Sequence, residues 1–121
     1  MKYLSEESSN RIYQILTDSR ENCNRTVETV CAFADYTSRI SYYNVVNGTS
    51  HDPANYIKIG IGANVPASLF AEYLEAANII LSPKFSKENR LFWEYLENHS
   101  TERKTNYDLE ELRELVNHPL L

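Results

Sequence analysis

The chain has 121 residues, of which 42% are hydrophobic and 24% are charged, a balance that excludes a disordered chain and matches the length of one globular domain, 1–121. Its 17 acidic residues outnumber 12 basic ones, for a formal net charge of -5, which argues against a protein that binds nucleic-acid phosphates directly. Residues 1–10 are polar and acidic where a signal peptide needs an apolar run, and no window is apolar over the length of a membrane span. We therefore expect a cytoplasmic protein.

Two helical segments are predicted at the start of the chain. In the first, from Glu6 to Ser19, Ile12, Ile15 and Leu16 form the inner face, and Ser5 is a weak N-cap. The second runs from Asn22 to Arg39, and small residues at its inner positions favour close helix packing at the centre of the molecule. Residues 1–47 contain no Gly or Pro, so the sequence leaves open whether the two segments join or bend between residues 18 and 24.

The next region predicts a small β-hairpin. β-branched and aromatic residues are concentrated in 40–46, and isoleucines alternate with other residues from Ile57 to Ile61, a period of two that is typical of a strand. Strands at about 40–46 and 56–62 would be joined by a loop over 47–55. In the alternative, the preceding helix continues through Val45, because Ser38, Ser41 and Val45 also have helical spacing.

Three further helices are predicted in the second half of the chain. The first spans residues 66–81, where an apolar stripe recurs at three and four residues. Ser82 and Pro83 resemble the N-cap and first position of a helix that reaches about Asn98. After a polar loop over 100–106, Asp108 and Glu111 resemble a capping box for the last helix, which His118 and Pro119 end. The predicted fold is a mainly α single-domain bundle of four to five helices with at most the small hairpin.

No catalytic, metal or cofactor motif is found in the sequence. Gly60-Ile61-Gly62 lies where a strand would turn into a helix, as in phosphate-binding loops, but the third fingerprint glycine and the P-loop lysine are missing. The three histidines are far apart and have no metal-ligand spacing. Cys23 and Cys31 would lie about 12 Å apart along one helix, beyond disulfide reach, and we interpret them as core thiols. We therefore expect a protein that is not an enzyme.

Tyrosine and acidic residues are the candidates for contact with a partner. Nine tyrosines in a chain of this size favour an interface, because tyrosine buries a large area while keeping a hydroxyl group for hydrogen bonding. Acidic residues of the last helix would face outward. The predicted partner-binding residues are Tyr36, Tyr42, Tyr43, Asp52, Tyr56, Glu110, Glu111 and Glu114.

These observations favour a small acidic module that binds another protein with a basic surface. Within that class we expect an inhibitor, either an immunity protein against a toxin or a phage or plasmid inhibitor of a host nuclease. One alternative is a small-ligand or anion-binding protein or enzyme that uses the Gly60–Pro66 turn. The other is a structural homo-oligomer, such as a homodimer, in which strand 56–62 pairs across a symmetry axis.

Overall fold

The computed structural model describes residues 2–101, 105–116 and 121, which form seven α-helices. They are α1 (Glu6–Asn22), α2 (Val27–Phe33), α3 (Ile40–Val46), α4 (Pro53–Gly62), α5 (Ala67–Ala76), α6 (Lys87–His99) and α7 (Leu109–Val116). The prediction of a mainly α protein is confirmed, with seven helices in this part of the chain rather than four or five. None of these helices combines the length and the apolar character that crossing a bilayer requires.

Helices α1 to α5 all end in the same way, with a residue of positive φ just after the C-cap. These residues are Asn24 (φ 57°), Asp35 (66°), Gly48 (69°), Asn64 (55°) and Asn78 (60°). The N–H of the following residue then donates back to the helix end, as Val65 does to the carbonyl of Gly60 at 3.1 Å. This is the Schellman motif, in which Asn and Asp are the usual substitutes for glycine. The chain therefore bends at Asn24, and 22–39 contains only the short helix α2.

Side chains cap most of the helix starts, with α3 and α5 as exceptions, and two of the predicted caps are confirmed. The Ser5 hydroxyl accepts from the N–H of Ser8 at 3.1 Å. Asp108 Oδ1 accepts from the N–H groups of Glu110 and Glu111 at 2.9 and 3.2 Å. The predicted start at Ser82 is wrong, because α6 begins at Lys87 after the N-cap Ser86. The predicted end of the last helix at His118 and Pro119 lies outside the described residues.

Helix α4 lies at the centre of the molecule and packs against α2, α3, α5 and α7. Its buried residues are Tyr56, Ile57, Ile59, Gly60, Ile61 and Gly62. A helix that is buried around most of its circumference is apolar at nearly every position and shows no simple helical period. The predicted central role of the segment 22–39 therefore belongs to α4 instead.

The predicted hairpin is wrong, and both of its strands are helices. Residues 40–46 form α3, as in the alternative that continued a helix through Val45, although Asp35 separates α3 from α2. Residues 56–62 lie inside α4, which begins after the Asp52 N-cap and has Pro53 at its first position. The isoleucines alternate because they lie in a helix that neighbours surround on most sides. They do not belong to a strand with one buried face.

The two glycines of α4 allow neighbouring helices to approach its backbone. A Cβ atom at Gly62 would lie 2.3 Å from the backbone oxygen of Val30 in α2. One at Gly60 would lie 2.8 Å from ring atoms of Phe70 and Tyr73 in α5. Both distances are shorter than any van der Waals contact, so a larger residue at either position must displace a neighbour.

Several tyrosines belong to the core and satisfy their hydroxyl groups there. The Tyr73 hydroxyl donates to the backbone carbonyl of Tyr56, and the Tyr56 hydroxyl donates to that of Ser50 at 2.9 Å. Burial raises the pKa of Tyr36, Tyr56 and Tyr107 to about 12, and it raises the pKa of Tyr73 strongly as well. Part of the high tyrosine content is therefore explained by packing.

We expect Gly62→Ala to lower the free energy of unfolding by about 1 to 3 kcal/mol, because its methyl group meets a backbone atom that cannot rotate away. The loss occurs although alanine is the better helix former. Ser68→Thr also adds one methyl group, but at an exposed position of α5, and is the control. Equal stability of the two variants in urea denaturation would contradict the close contact between α4 and α2.

Alkaline pH should unfold the protein. The unfolded chain releases tyrosine protons near pH 10, whereas the folded chain holds those of Tyr36, Tyr56 and Tyr107 until about pH 12. The free energy of unfolding is therefore unaffected by these groups below pH 10 and falls as the pH rises from about 10 to 12. Tyrosinate absorbance and circular dichroism, recorded together, should show helix loss accompanying the last tyrosine ionisations. Complete ionisation with the helical signal intact would contradict this account.

Candidate functional site

Two of the eight predicted partner-binding residues are not on the surface. The side chains of Tyr42 and Tyr56 are only 3% and 1% exposed. The hydroxyl of Tyr42 accepts from Arg20 Nε at 3.3 Å, and that of Tyr56 donates to Ser50, as described above. Both residues are therefore parts of the core and leave the set of candidates. Both residues lie in helices that were predicted as strands, so the predicted neighbours of both rings were wrong.

The other two tyrosines of that set and Asp52 are accessible to different degrees. Tyr43 is exposed on α3, with its ring at the edge of the Tyr42 ring. Tyr36 is half-buried; its hydroxyl donates to Asn55 Oδ1, and Lys58 Nζ lies 5.4 Å from the centre of its ring. Burial raises the Tyr36 pKa first, and the nearby charge of Asp52 adds to the rise. Tyr36 and Asp52 therefore belong to one region of the surface.

A groove of about 530 Å³ lies between the end of α2 and the start of α7. Four carboxylates line it, together with Phe33, His99 and several smaller contributors, and we call it the acidic groove. The carboxylates are those of Asp35, Asp108, Glu110 and Glu111. Two of them, Glu110 and Glu111, were predicted to contact a partner. Glu114 is exposed on the same helix but does not line the groove.

Arg113 holds two of these carboxylates in place. Its Nη1 atom donates to Asp35 Oδ2 at 3.1 Å and to Glu110 Oε1 at 2.7 Å, and its Nε atom donates to the carbonyl of Leu121 at 2.7 Å. Asp35 and Glu110 come from opposite sides of the groove, α2 and α7. One guanidinium therefore ties the two sides together while leaving both carboxylates more than half exposed.

Asn64 anchors the segment that forms the floor of the acidic groove. It is 4% exposed, and its Nδ2 atom donates to the carbonyl of Thr105 at 3.1 Å. Its own backbone carbonyl accepts from Thr105 Oγ1 at 2.9 Å, and its Oδ1 accepts from the N–H of Tyr107 at 3.4 Å. The left-handed residue that ends α4 thus also fixes the chain just before α7.

His99 at the end of α6 completes the acidic groove. Its ring stacks on Tyr95 with 4.0 Å between centroids, and its Nδ1 atom is 2.8 Å from the Tyr95 carbonyl. Its Nε2 atom lies 3.6 Å from Glu111 Oε1. The Tyr95 hydroxyl in turn accepts from the N–H of Asp108 at 2.8 Å. These contacts fix the helix starts and ends around the groove, so its carboxylates are held in defined positions.

The two alternative functions both depended on a predicted strand at 56–62, and this segment lies in a helix. Gly60 and Gly62 lie inside a helix, not in a strand-to-helix turn, and the turn after them is buried. Its N–H groups are used: Val65 donates to Gly60, and Ala67 donates to Ser100 Oγ at 3.1 Å. The structure therefore shows no open anion cradle at this turn. Likewise, a homo-oligomer paired through strand 56–62 is excluded, because this segment is a buried helix.

Two further kinds of site, a metal-binding cluster and a reactive cysteine, were compared with the described residues. These contain no group of three or more His, Cys, Asp or Glu side chains that could hold a metal ion. Cys23 and Cys31 are free thiols, and burial raises the pKa of Cys31, which disfavours the thiolate needed for nucleophilic attack. His51 contacts the ring of Tyr3, with 4.9 Å between the ring centroids.

Comparison with known proteins identifies no relative. No protein-family model, curated protein or solved structure matches this chain.

Sequence reasoning missed Asp35, Phe33 and His99 as members of the site. Asp35 ends α2 in the left-handed region, and an Asp after an apolar helical run is a signal for such an end. This signal marks a helix end, but it does not indicate which other residues lie beside Asp35. The positions of Phe33 and His99 follow from tertiary packing alone.

The anchoring role of Asn64 leads to a stability prediction. Asn64→Gly keeps the left-handed conformation but removes the buried side-chain hydrogen bonds, so we expect a loss of about 1 to 3 kcal/mol in the free energy of unfolding. Asn64→Ala should lose about 1 kcal/mol more, because a Cβ-bearing residue without a polar side chain is strained at positive φ.

The control is Asn24→Gly. Asn24 also has positive φ, but it is exposed and its side chain makes no hydrogen bond within the described part of the chain. The change should stay within about 0.5 kcal/mol of the wild type in urea denaturation. If Asn64→Gly and Asn24→Gly were equally stable, the side chain of Asn64 would not anchor residues 105–107.

Proposed function

We propose that this protein is a binding module that inhibits another protein by placing its acidic groove against a basic surface. The observation that carries the proposal is the convergence of four carboxylates, from α2 and from the start of α7, on one groove. Arg113 pairs with two of them, so an excess of negative charge remains for a partner. The formal charge of -5 for the whole chain would add long-range attraction.

The arrangement of the groove suits recognition of Lys and Arg side chains. Charge-assisted hydrogen bonds to a carboxylate are stronger than neutral ones, and a guanidinium can engage a carboxylate through two of them. Three of the four carboxylates are held by the Asp108 cap or by Arg113, so little conformational freedom would be lost on binding. Phe33 is 48% exposed beside them, with Arg25 Cζ 3.8 Å from the centre of its ring, and its remaining exposed surface is of the aromatic kind that is enriched at the centres of interfaces.

Within the binding class, we favour an inhibitor of a nuclease or toxin. Enzymes that act on nucleic acids need basic clefts to bind phosphates, and an acidic groove with a matching shape would occupy such a cleft. Tyr36, Asp52 and the exposed Glu114 would extend the contact beyond the groove. We expect the protein to act without a cofactor and to have no catalytic activity of its own.

The test is capture of partners from a lysate of the source cells with wild-type protein and two double variants. Glu110→Lys with Glu111→Lys reverses two charges in the first turn of α7 and at the groove. Glu6→Lys with Glu7→Lys reverses two exposed charges in the first turn of α1, so it has the same effect on net charge and a similar effect on a helix start. We expect a basic partner to be retained by the wild type and by the α1 variant, and to be lost with the α7 variant.

Inhibition is then measured on the captured partner. Its activity should fall in proportion to added wild-type protein until the two are equimolar, and the α7 variant should leave it unchanged. Raising the salt concentration should weaken capture, because the contact is between opposite charges. Equal capture by both variants, or a partner whose activity is unaffected, would overturn the proposal. Circular dichroism of each variant checks that the helices remain folded.

A further inference from the structure

A second groove lies between α5 and α6 and is mainly apolar. It has a volume of about 700 Å³, and the connection from Asn78 to Pro83 forms one of its sides. Its main apolar contributors are Ala71, Leu74, Ile79, Ile80, Leu81 and Trp93. We call it the apolar groove. It shares no lining residue with the acidic groove.

The connection beside this groove exposes apolar side chains that the core does not use. The predicted helix over 66–81 ends at Ala76, because Asn78 adopts the left-handed conformation and turns the chain. As a result, Ile80 leaves the apolar stripe of the helix and is 78% exposed, and Phe85 is 72% exposed. They are the two most exposed large hydrophobic residues in the described part of the chain. Ile80 also lines the groove, so its exposed side chain enlarges the apolar surface there.

The backbone of the same connection has unused hydrogen-bonding groups. Within the described residues, neither Ile80 nor Leu81 donates its N–H to an acceptor. Trp93 holds the connection in position, because its Nε1 atom donates to the carbonyl of Leu81. The Trp93 ring also contacts Phe70 and Phe92 edge to face, so the floor of the groove is part of the packed core. The groove therefore has a floor that the packed core holds in place.

The charges around the groove select the chemistry of an occupant. Glu75 and Glu97 line it, and the lining contains no Lys or Arg. Neither carboxylate forms an ion pair or hydrogen bond within the described part of the chain. An apolar surface with two unpaired carboxylates is complementary to a bulky apolar side chain that is flanked by cationic ones.

We propose that the apolar groove binds a short segment of a partner protein in which bulky aliphatic side chains alternate with Lys or Arg. The aliphatic side chains would lie against Ile80 and Trp93, and the cations would pair with Glu75 and Glu97. A second copy of this chain fits less well, because a two-fold interface would bring the same carboxylates towards each other. An anionic membrane surface would be repelled for the same reason.

Trp93 provides a direct readout, because it is the protein's single tryptophan and it lines the groove. The probe is a synthetic amphipathic peptide of leucine and lysine that contains no aromatic residue. We expect it to cause a saturable blue shift of the Trp93 emission. The same peptide with glutamate in place of lysine should cause none.

Variants locate the bound peptide. Ile80→Ser removes an exposed apolar side chain, and Ala71→Arg fills the groove with a cation. Each variant should lower the affinity for the peptide by about tenfold, as expected for the loss of one buried aliphatic contact. Glu75→Lys combined with Glu97→Lys should also lower this affinity by about tenfold or more.

Ile40→Ser is the matched control, because Ile40 is 66% exposed but lies on α3. Glu110→Lys with Glu111→Lys controls for binding in the acidic groove, and both controls should leave the affinity unchanged.

Three results would overturn the proposal. The first is no saturable change in Trp93 emission. The second is an affinity that Ile80→Ser and Ala71→Arg leave unchanged, or that the acidic-groove variant lowers instead. The third is a dimer in light scattering that Ile80→Ser disperses, which would make a second copy the occupant. The two grooves share no lining residue, so the two proposals fail independently. Results against peptide binding in the apolar groove do not affect the proposed inhibitor function, and results against the inhibitor function do not affect peptide binding.

Discussion

The close approach of helix α4 to its neighbours is the contact on which the rest of the structure depends. The backbone of α2 reaches Gly62 at a distance that no side chain allows, and the rings of Phe70 and Tyr73 rest on Gly60. Arg25 strengthens the first contact, because its Nη1 atom donates to the Gly62 carbonyl at 2.6 Å. With α2 and α5 placed in this way, the ends of both helices lie where the two grooves form.

Both grooves are built from chain segments that follow left-handed helix ends. Asp35 ends α2 and supplies a carboxylate to the acidic groove, and Asn64 ends α4 and anchors the floor of the same groove. Asn78 ends α5 and directs Ile80 to the surface beside the apolar groove. A Schellman end reverses the chain within a few residues, so it gives compact connections and a defined direction to the residues that follow. The recognition surfaces are thus consequences of how the helices stop.

Local signals in the sequence predicted much of the fold and little of the site. Side-chain caps at Ser5 and Asp108 act on backbone groups a few residues away, and the buried stripe of α6 repeats at helical spacing, so both could be recognised without tertiary structure. The helix end at Asn24 was also visible in principle, since Asn is the commonest replacement for glycine there. The convergence of Asp35 with Glu110 was not visible in the sequence, because the two residues are far apart in the chain. Only the tertiary fold, with Arg113 between them, brings them together.

The sequence by itself determined the helical class, the caps at Ser5 and Asp108 and the negative charge, because these depend on composition and on interactions between near neighbours in the chain. Tertiary structure decided that Ile57, Ile59 and Ile61 belong to a buried helix, that Tyr42 and Tyr56 face the core, and that four acids share one groove. The physical reason is that a segment with apolar residues at most positions has similar local energies in a strand and in a central helix. Only the neighbours that cover it, here through the two glycines of α4, separate the two states.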